Sequence, residues 1–233
     1  MSVETLAVIP ARGGSKGLPR KNLRHVGGSP LVVRAIEQAR ASRAVDAVVV
    51  STDDAEIASV SERAGAEVVW RPEELGMDRT PTVDVLAHVL RTRPHASMPE
   101  RIVTLQPTSP LRLPRHVDEA IALLLPEFDS VVSVCPVGHS PYKMFSVVDD
   151  RLAPLISGGP PPGTPRQELP LVYQENGAVY VTWTAVIREQ NSIWGRRARP
   201  YVMDAESSVD VDTDLDLILA ETILSTRKDT EER

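Results

Sequence analysis

Two rhythms of apolar and polar positions alternate through the first 135 residues of the chain. Short, nearly unbroken apolar runs read as strands covered on both faces: TLAVIP (5–10), DAVVVS (46–51), AEVVW (66–70), RIVTLQ (101–106) and DSVVSVCPV (129–137). Between them lie helical spacings. SPLVVRAIEQARAS begins with Ser29, placed before Pro30 to cap a helix. DDAEIASVSERAG opens at Asp53 and stops at Gly65. TVDVLAHVL sets Val83, Leu86 and Leu90 on one face, with Thr82 as its cap. HVDEAIALLL sets Val117, Ala120, Ile121 and Leu124 at i, i+3, i+4 and i+7. Strand and helix in strict alternation predict an α/β fold: a mostly parallel sheet with helices on both faces and right-handed crossovers. Ligands of such sheets sit beyond the carboxyl ends of the strands. The loops 10–22, 51–54, 71–82 and 106–112 are therefore expected to share one rim.

From about Gly138 the rhythm changes. SPYKMFSVVDDRLAPL reads as two antiparallel strands turning at Asp149-Asp150. SGGPPPGTPRQELP has no periodicity, and a loop of that length suits closure over a site or a mobile segment. QENGAVYVTW returns to strand character and a helix follows near TAVIREQ. DTDLDLILAETIL reads as an amphipathic helix with Leu215, Ile218 and Leu219 inward.

Composition adds bounds. At 233 residues, 42% hydrophobic and 25% charged, the chain has the make-up of one ordinary globular domain, its core built from aliphatic residues because aromatics are only 4%. A net charge of −6 argues against general affinity for nucleic acid or a membrane surface, so any anionic ligand needs a local basic patch. No apolar run reaches membrane-span length, and the amino terminus lacks the pattern of a signal peptide. Cys135 stands alone, which excludes an internal disulfide framework and fits a cytoplasmic protein.

The basic patch lies in residues 6–24, LAVIPARGGSKGLPRKNLR. No Asp or Glu occurs from Thr5 to Ile36, while Arg12, Lys16, Arg20, Lys21 and Arg24 cluster around Gly13, Gly14 and Gly17. A strand emptying into a glycine-bearing cationic loop offers close backbone approach, N–H groups and positive charge to a polyphosphate. The Walker spacing G-x-x-x-x-G-K fails here, and so does the dinucleotide fingerprint G-x-G-x-x-G. Without that fingerprint Asp53 is expected to cap a helix rather than bind a ribose.

A second cluster, SSVDVDTDLD (207–216), places four aspartates in ten residues. On a strand-like segment Asp210 and Asp212 point the same way, about 6–7 Å apart, which suits Mg²⁺ completed by phosphate oxygens. The alternative is that Asp212 or Thr213 caps the last helix, with Asp214 and Asp216 favouring its positive end.

The string IPARGGSKGLPRKN strongly resembles the amino-terminal nucleotide loop of the acylneuraminate cytidylyltransferases, the CMP-sialic acid synthetases. The resemblance runs from about residue 5 to 224. It implies a Rossmann-like catalytic domain and a homodimer held by an arm drawn from 137–200 that also binds the acceptor. It further implies a reaction of CTP with a small acidic acceptor, a nonulosonic acid. Carried over residue by residue, Ala11, Arg12, Gly13, Ser15, Lys16, Asn22, Arg71 and Thr82 would hold the nucleotide, with Arg12 and Lys21 on the phosphates. Asp210 and Asp212 match the family's D-x-D metal pair, which makes Asp212 catalytic. Gln106, in QPTSPLR, would stand at the sugar–nucleotide junction, with Arg112 adding charge. Lys143, Arg166, Gln167 and Tyr180 would face the acceptor, a cation there pairing with its carboxylate. Ile193 and Trp194 occupy a place where the bacterial enzymes present aromatics from a partner subunit. A related acid such as legionaminic acid, a phosphonate, or a non-catalytic nucleotide-binding role are the alternatives to a sialic acid.

Overall fold

The computed structural model describes residues 4–15, 17–93 and 98–231. The predicted alternation is there: β1 (Thr5–Pro10), a small hairpin of β2 (His25–Val26) and β3 (Ser29–Pro30), α1 (Leu31–Ala41), β4 (Ala47–Thr52), α2 (Ala55–Arg63), β5 (Glu67–Trp70) and α3 (Thr82–Thr92). Then follow β6 (Arg101–Thr104), α4 (Pro114–Ala122), β7 (Ser130–Pro136), the hairpin of β8 (Phe145–Val148) and β9 (Arg151–Pro154), β10 (Tyr173–Trp183), α5 (Thr184–Gln190), β11 (Ala198–Val202) and α6 (Asp214–Glu231). The main sheet has the order β11-β7-β10-β6-β1-β4-β5. Six of its strands run the same way; β10 alone is antiparallel, inserted between β6 and β7. β10 comes from the second half of the chain, so its pairing with two earlier strands leaves no local trace.

Alternation along the strands divides the core. Ala7, Ile9, Val48 and Val50 meet α1, α2 and α4 on one face; Leu6, Val8, Val49 and Ile102 meet α3 and α5 on the other. Cys135 is buried in β7, as expected of a small core residue. A third cluster joins Leu18, Val26, Leu31 and Leu111 to Val211, Leu217 and Ala220. It clamps the end of the chain onto the loop after β1.

Three local expectations are corrected. Pro30, not Ser29, sits at the N-cap of α1, because Ser29 is engaged in the β2–β3 hairpin. Thr82 is the first residue of α3, behind an N-cap Pro81 that offers no side-chain bond. On α6, Leu215, Ile218 and Leu219 face solvent, while Leu217 and Ala220 pack inward against the β2–β3 hairpin region. The turn at Asp149-Asp150 forms with both residues in the left-handed region, but the hairpin it closes stands away from the core, all of β8 being exposed. Among the described residues no helix is long and apolar enough to cross a membrane.

Candidate active site

A cleft of about 820 Å³ opens over the carboxyl ends of β1 and β6, walled by residues 10–22, 71–85, 106–108 and 212–213. The rim expected from the strand–helix alternation is therefore assembled, with one addition: the acidic segment before α6 closes its side. The loop 51–54 joins from behind. Ala11 continues the β1 register by donating its N–H to Ser51 O at 2.9 Å, and Ala11 is fully buried. Asn22, also buried, donates its side-chain amide to Arg12 O at 2.8 Å and so braces the loop from within the cleft wall.

Two of the loop's glycines answer to close approach. A Cβ on Gly13 would lie 2.7 Å from the Asp54 carboxylate, and one on Gly17 would lie 3.2 Å from Asp212 O. The second contact brings the two charged segments into register, and a salt bridge completes it: Lys21 Nζ to Asp212 Oδ1, 2.8 Å. Both residues line the cleft, with Arg12 and Ser15 nearby. Lys16 lies outside the described residues. Arg20 and Arg24 do not reach the cleft; Arg20 pairs with Glu56 (2.7 Å) on α2, and Arg24 with Asp214 (2.9 Å) on α6.

The cap expected of Asp53 falls instead to its neighbour Asp54. Asp54 caps α2, accepting from the N–H groups of Glu56 and Ile57. Asp53 accepts the Gly13 N–H at 2.8 Å, so that donor of the loop is already engaged. Asp78, from the loop before α3, pairs with Arg12. These carboxylates tie the residue 12–13 loop to its neighbours, and residue types alone did not single out Asp78.

Arg71 is buried, held by Ser51 O at 2.9 Å and more loosely by Ser51 Oγ and Leu75 O. Desolvation pulls its pKa down, Asp53 opposes that shift, and neighbouring Arg12 adds to it. Thr82 and Gln106 border the same cavity.

The acid pair sits in irregular chain rather than in a strand. Val211 is fully buried and donates its N–H to Thr108 O at 2.8 Å, so the flanking Asp210 and Asp212 are turned away from the core together. Asp210 accepts from the Thr108 side chain and keeps solvent access, but its pKa is raised by desolvation, with Asp212 adding like charge. Asp216 accepts from the N–H groups of Asp212 and Thr213 and from the Thr213 hydroxyl, closing the start of α6. Among the described residues no group of three or more His, Cys, Asp or Glu could hold a metal, so a cation here would rest on two carboxylates.

The acceptor residues divide. Gln106 borders the cleft, but Lys143, Arg166 and Gln167 are exposed on the arm, and Lys143 borders a separate cavity of about 250 Å³ together with Tyr142, Phe145 and Leu169. Tyr180 is buried in β10, its hydroxyl donating to Glu175 at 3.2 Å. Burial, Glu175 and the nearby Asp210 all push its pKa up, so it holds its proton. Ile193 packs on the core beside α3 and α5, and Trp194 is partly exposed. Arg112 does not add charge to the cleft wall, for it is almost wholly buried beneath it.

Comparisons with known proteins give these features a context. A cytidylyltransferase family model matches residues 6–221. The N-acylneuraminate cytidylyltransferase of Escherichia coli is 33% identical over 96% of this chain; the chain spans about half of that relative's length (52%). The CMP-N,N'-diacetyllegionaminic acid synthase of Legionella pneumophila is 33% identical over 94% of this chain and 95% of its own. Among solved structures, a CMP:2-keto-3-deoxy-manno-octonic acid synthetase complexed with CTP superposes with a TM-score of 0.73, covering 96% of this chain and 99% of its own. At 19% identity that likeness shows the shared Rossmann-like fold.

Proposed function

Because the chain belongs to the cytidylyltransferase family, we propose that it activates a nonulosonic, sialic-type acid with CTP, giving the CMP-sugar and pyrophosphate. The observation that carries this reading is the meeting of the basic loop and the acid pair in one cleft, with Lys21 and Asp212 in contact at 2.8 Å. In the reaction the acceptor's anomeric hydroxyl attacks the α-phosphorus in line; the new P–O bond forms, the α–β phosphoanhydride bond breaks, and pyrophosphate departs. Such chemistry depends on positioning and charge neutralisation. Arg12 and Lys21, with Lys16 of the same loop, hold the phosphates and balance the charge that grows on the leaving group. Arg71, Thr82 and Asn22, which line the same cleft, seat the cytidine, and Gln106 stands where sugar and nucleotide join.

Asp210 and Asp212 would hold Mg²⁺. Their fit rests on the outward turn they share around Val211, on the hard oxygen donors they supply and on the like charge that a cation relieves at Asp210. When bound, the ion supplies Lewis-acid stabilisation of the α-phosphate. The number of protein ligands is small, as expected where phosphate oxygens complete the shell.

The acceptor side needs a second copy of the chain. Lys143, Arg166 and Gln167 lie on an arm that carries exposed Val147, Leu152 and Leu171, the surface expected of a homodimer interface rather than of an isolated chain. Paired arms would bring those polar residues to a cleft for the acceptor's carboxylate and side chain. The enzyme is read as cytoplasmic, in keeping with its single buried cysteine.

The test is pyrophosphate release from CTP, ATP, GTP and UTP with a panel of nonulosonic acids. Release with CTP and one class of acid supports the proposal. CTP binding by calorimetry without release for any acid would convert the reading to a non-catalytic nucleotide module. A legionaminic-type acceptor is the second reading, favoured because the Legionella relative matches over nearly the full length of both chains.

A further inference from the structure

Among the described residues Arg112 is the largest fully buried side chain, and its position is unusual for its charge. Among the described residues no carboxylate is paired with it, and burial pulls its pKa down to about 9, so it stays charged at neutral pH. A buried cation without a counter-ion is costly, and an apolar side chain of similar volume would be cheaper. Its donors show what the cation serves. Nη1 donates to Ala178 O at 2.6 Å and to Gln106 O at 3.3 Å; Nη2 donates to Gln38 Oε1 at 2.8 Å. Gln38 in turn donates to Pro110 O at 2.8 Å. One guanidinium therefore fastens the loop 106–112 to the 176–178 turn of β10.

Those two segments are in contact through the cleft residue Gln106. Gly177 has φ +70°, and a Cβ there would fall 2.8 Å from Gln106 Oε1, so the amide lies directly against the glycine backbone. Moving either carbonyl that Arg112 holds would move the shelf on which that amide rests. We propose that Arg112 is a positioning residue for the acceptor side of the cleft, its planar fork fixing Gln106 and the Gly177–Ala178 backbone as one unit. Charge alone does not suffice for this, because a lysine ammonium cannot hold two carbonyls and the Gln38 amide in the plane that the fork supplies. Arg12, Lys21 and Arg71 are fastened independently, by Asp78, Asp212 and Ser51, so the nucleotide side does not depend on the same bonds.

The inference deepens the proposed function and rests on it. The experiment is steady-state kinetics on Arg112→Lys, with CTP and acceptor varied separately, CTP binding by calorimetry, and thermal melting. Gln38→Met, which removes one support far from the cleft, guards against an Arg112 variant that fails to fold. The expected result is a rise in acceptor KM of about tenfold or more for Arg112→Lys, a smaller rise for Gln38→Met, and CTP affinity within about twofold of wild type, as for a local displacement of one substrate's contacts. Parallel losses for CTP and acceptor that track melting temperature, or an unchanged acceptor KM, would overturn it. Absence of pyrophosphate release by the wild-type protein would instead remove the proposed function, and this inference with it.

Discussion

The two sides of the cleft are built on different terms. On the nucleotide side, residues that line the cavity are braced by partners in the fold: Asn22 by Arg12 O, Arg71 by Ser51, Lys21 by Asp212. The partners come from β4, from the loop after β1 and from the segment before α6, and the core clusters beneath hold those elements rigidly. On the acceptor side Gln106 and Tyr180 are held by hydrogen bonds, while Lys143, Arg166 and Gln167 sit exposed on a hairpin and loop. The difference matches the proposed division of labour, in which one chain seats the nucleotide and a second copy's arm completes the acceptor side. Substitutions on the two sides should therefore differ in kind as well as size.

The largest losses belong to the nucleotide side. Asp212→Ala removes both the partner of Lys21 and half of the proposed cation site; turnover in Mg²⁺ should fall by about a thousandfold or more. Metal-dependent activity with unchanged Mg²⁺ affinity in that variant would strike Asp212 from the ligands. Arg12→Ala should cost on the order of 2–4 kcal/mol of transition-state stabilisation, comparable to losing one preorganised donor to a developing oxyanion. Near-normal kcat/KM there would break the assignment of the loop to the phosphates.

The arm offers an intermediate effect with a different signature. Val147 and Leu152 face each other across the β8–β9 hairpin, and both are strongly exposed. Val147→Asp with Leu152→Asp should leave CTP binding unaltered, convert the proposed dimer to monomer in sedimentation, and raise acceptor KM by about tenfold. A dimer that survives the double substitution, or a monomer with normal acceptor KM, would erase the contrast between the two sides.

How much of this was legible in the residues follows the same divide. The helical spacing of Val117, Ala120, Ile121 and Leu124 and the apolar runs of β1 and β4 stated their burial directly, since period and burial are one property in a layered fold. The basic loop and the aspartate pair were visible because charge was concentrated against an acidic background. What stayed hidden was non-local. Nothing near Tyr173–Trp183 announces that it inserts between β6 and β7. Leu215, Ile218 and Leu219 make as good an apolar stripe as Leu217 and Ala220; only the position of the β2–β3 hairpin decides which packs. Asp53 and Asp54 are adjacent and alike, so which caps α2 and which holds Gly13 depends on where the loop after β1 lies. Arg112 read as a cleft cation because sequence shows charge and not the Ala178 and Gln106 carbonyls that enclose it.

The smallest expected effect sharpens the comparison from the side of stability. Asp210 has its pKa raised in the folded protein, first by desolvation and then by Asp212. A carboxyl whose folded pKa lies above its unfolded one binds more protons when folded, so it favours folding below the unfolded pKa, and that advantage is lost as pH rises through the folded pKa. At neutral pH the charged Asp210 is thus a small liability to the fold, retained at the cleft mouth where a cation would relieve it. Asp210→Asn should accordingly raise Tm slightly at pH 7, keep the Thr108 contact through its amide oxygen, and lose the gain as the pH is lowered through the titration of Asp210. Adding Mg²⁺ should raise Tm of the wild-type protein and leave Asp210→Asn nearly unmoved, because ligand that binds only the native pair stabilises only the protein that has it. A lower Tm for the variant at pH 7, or an equal Mg²⁺ response in both proteins, would mean that Asp210 serves the fold through Thr108 and that the cation rests on Asp212 without it.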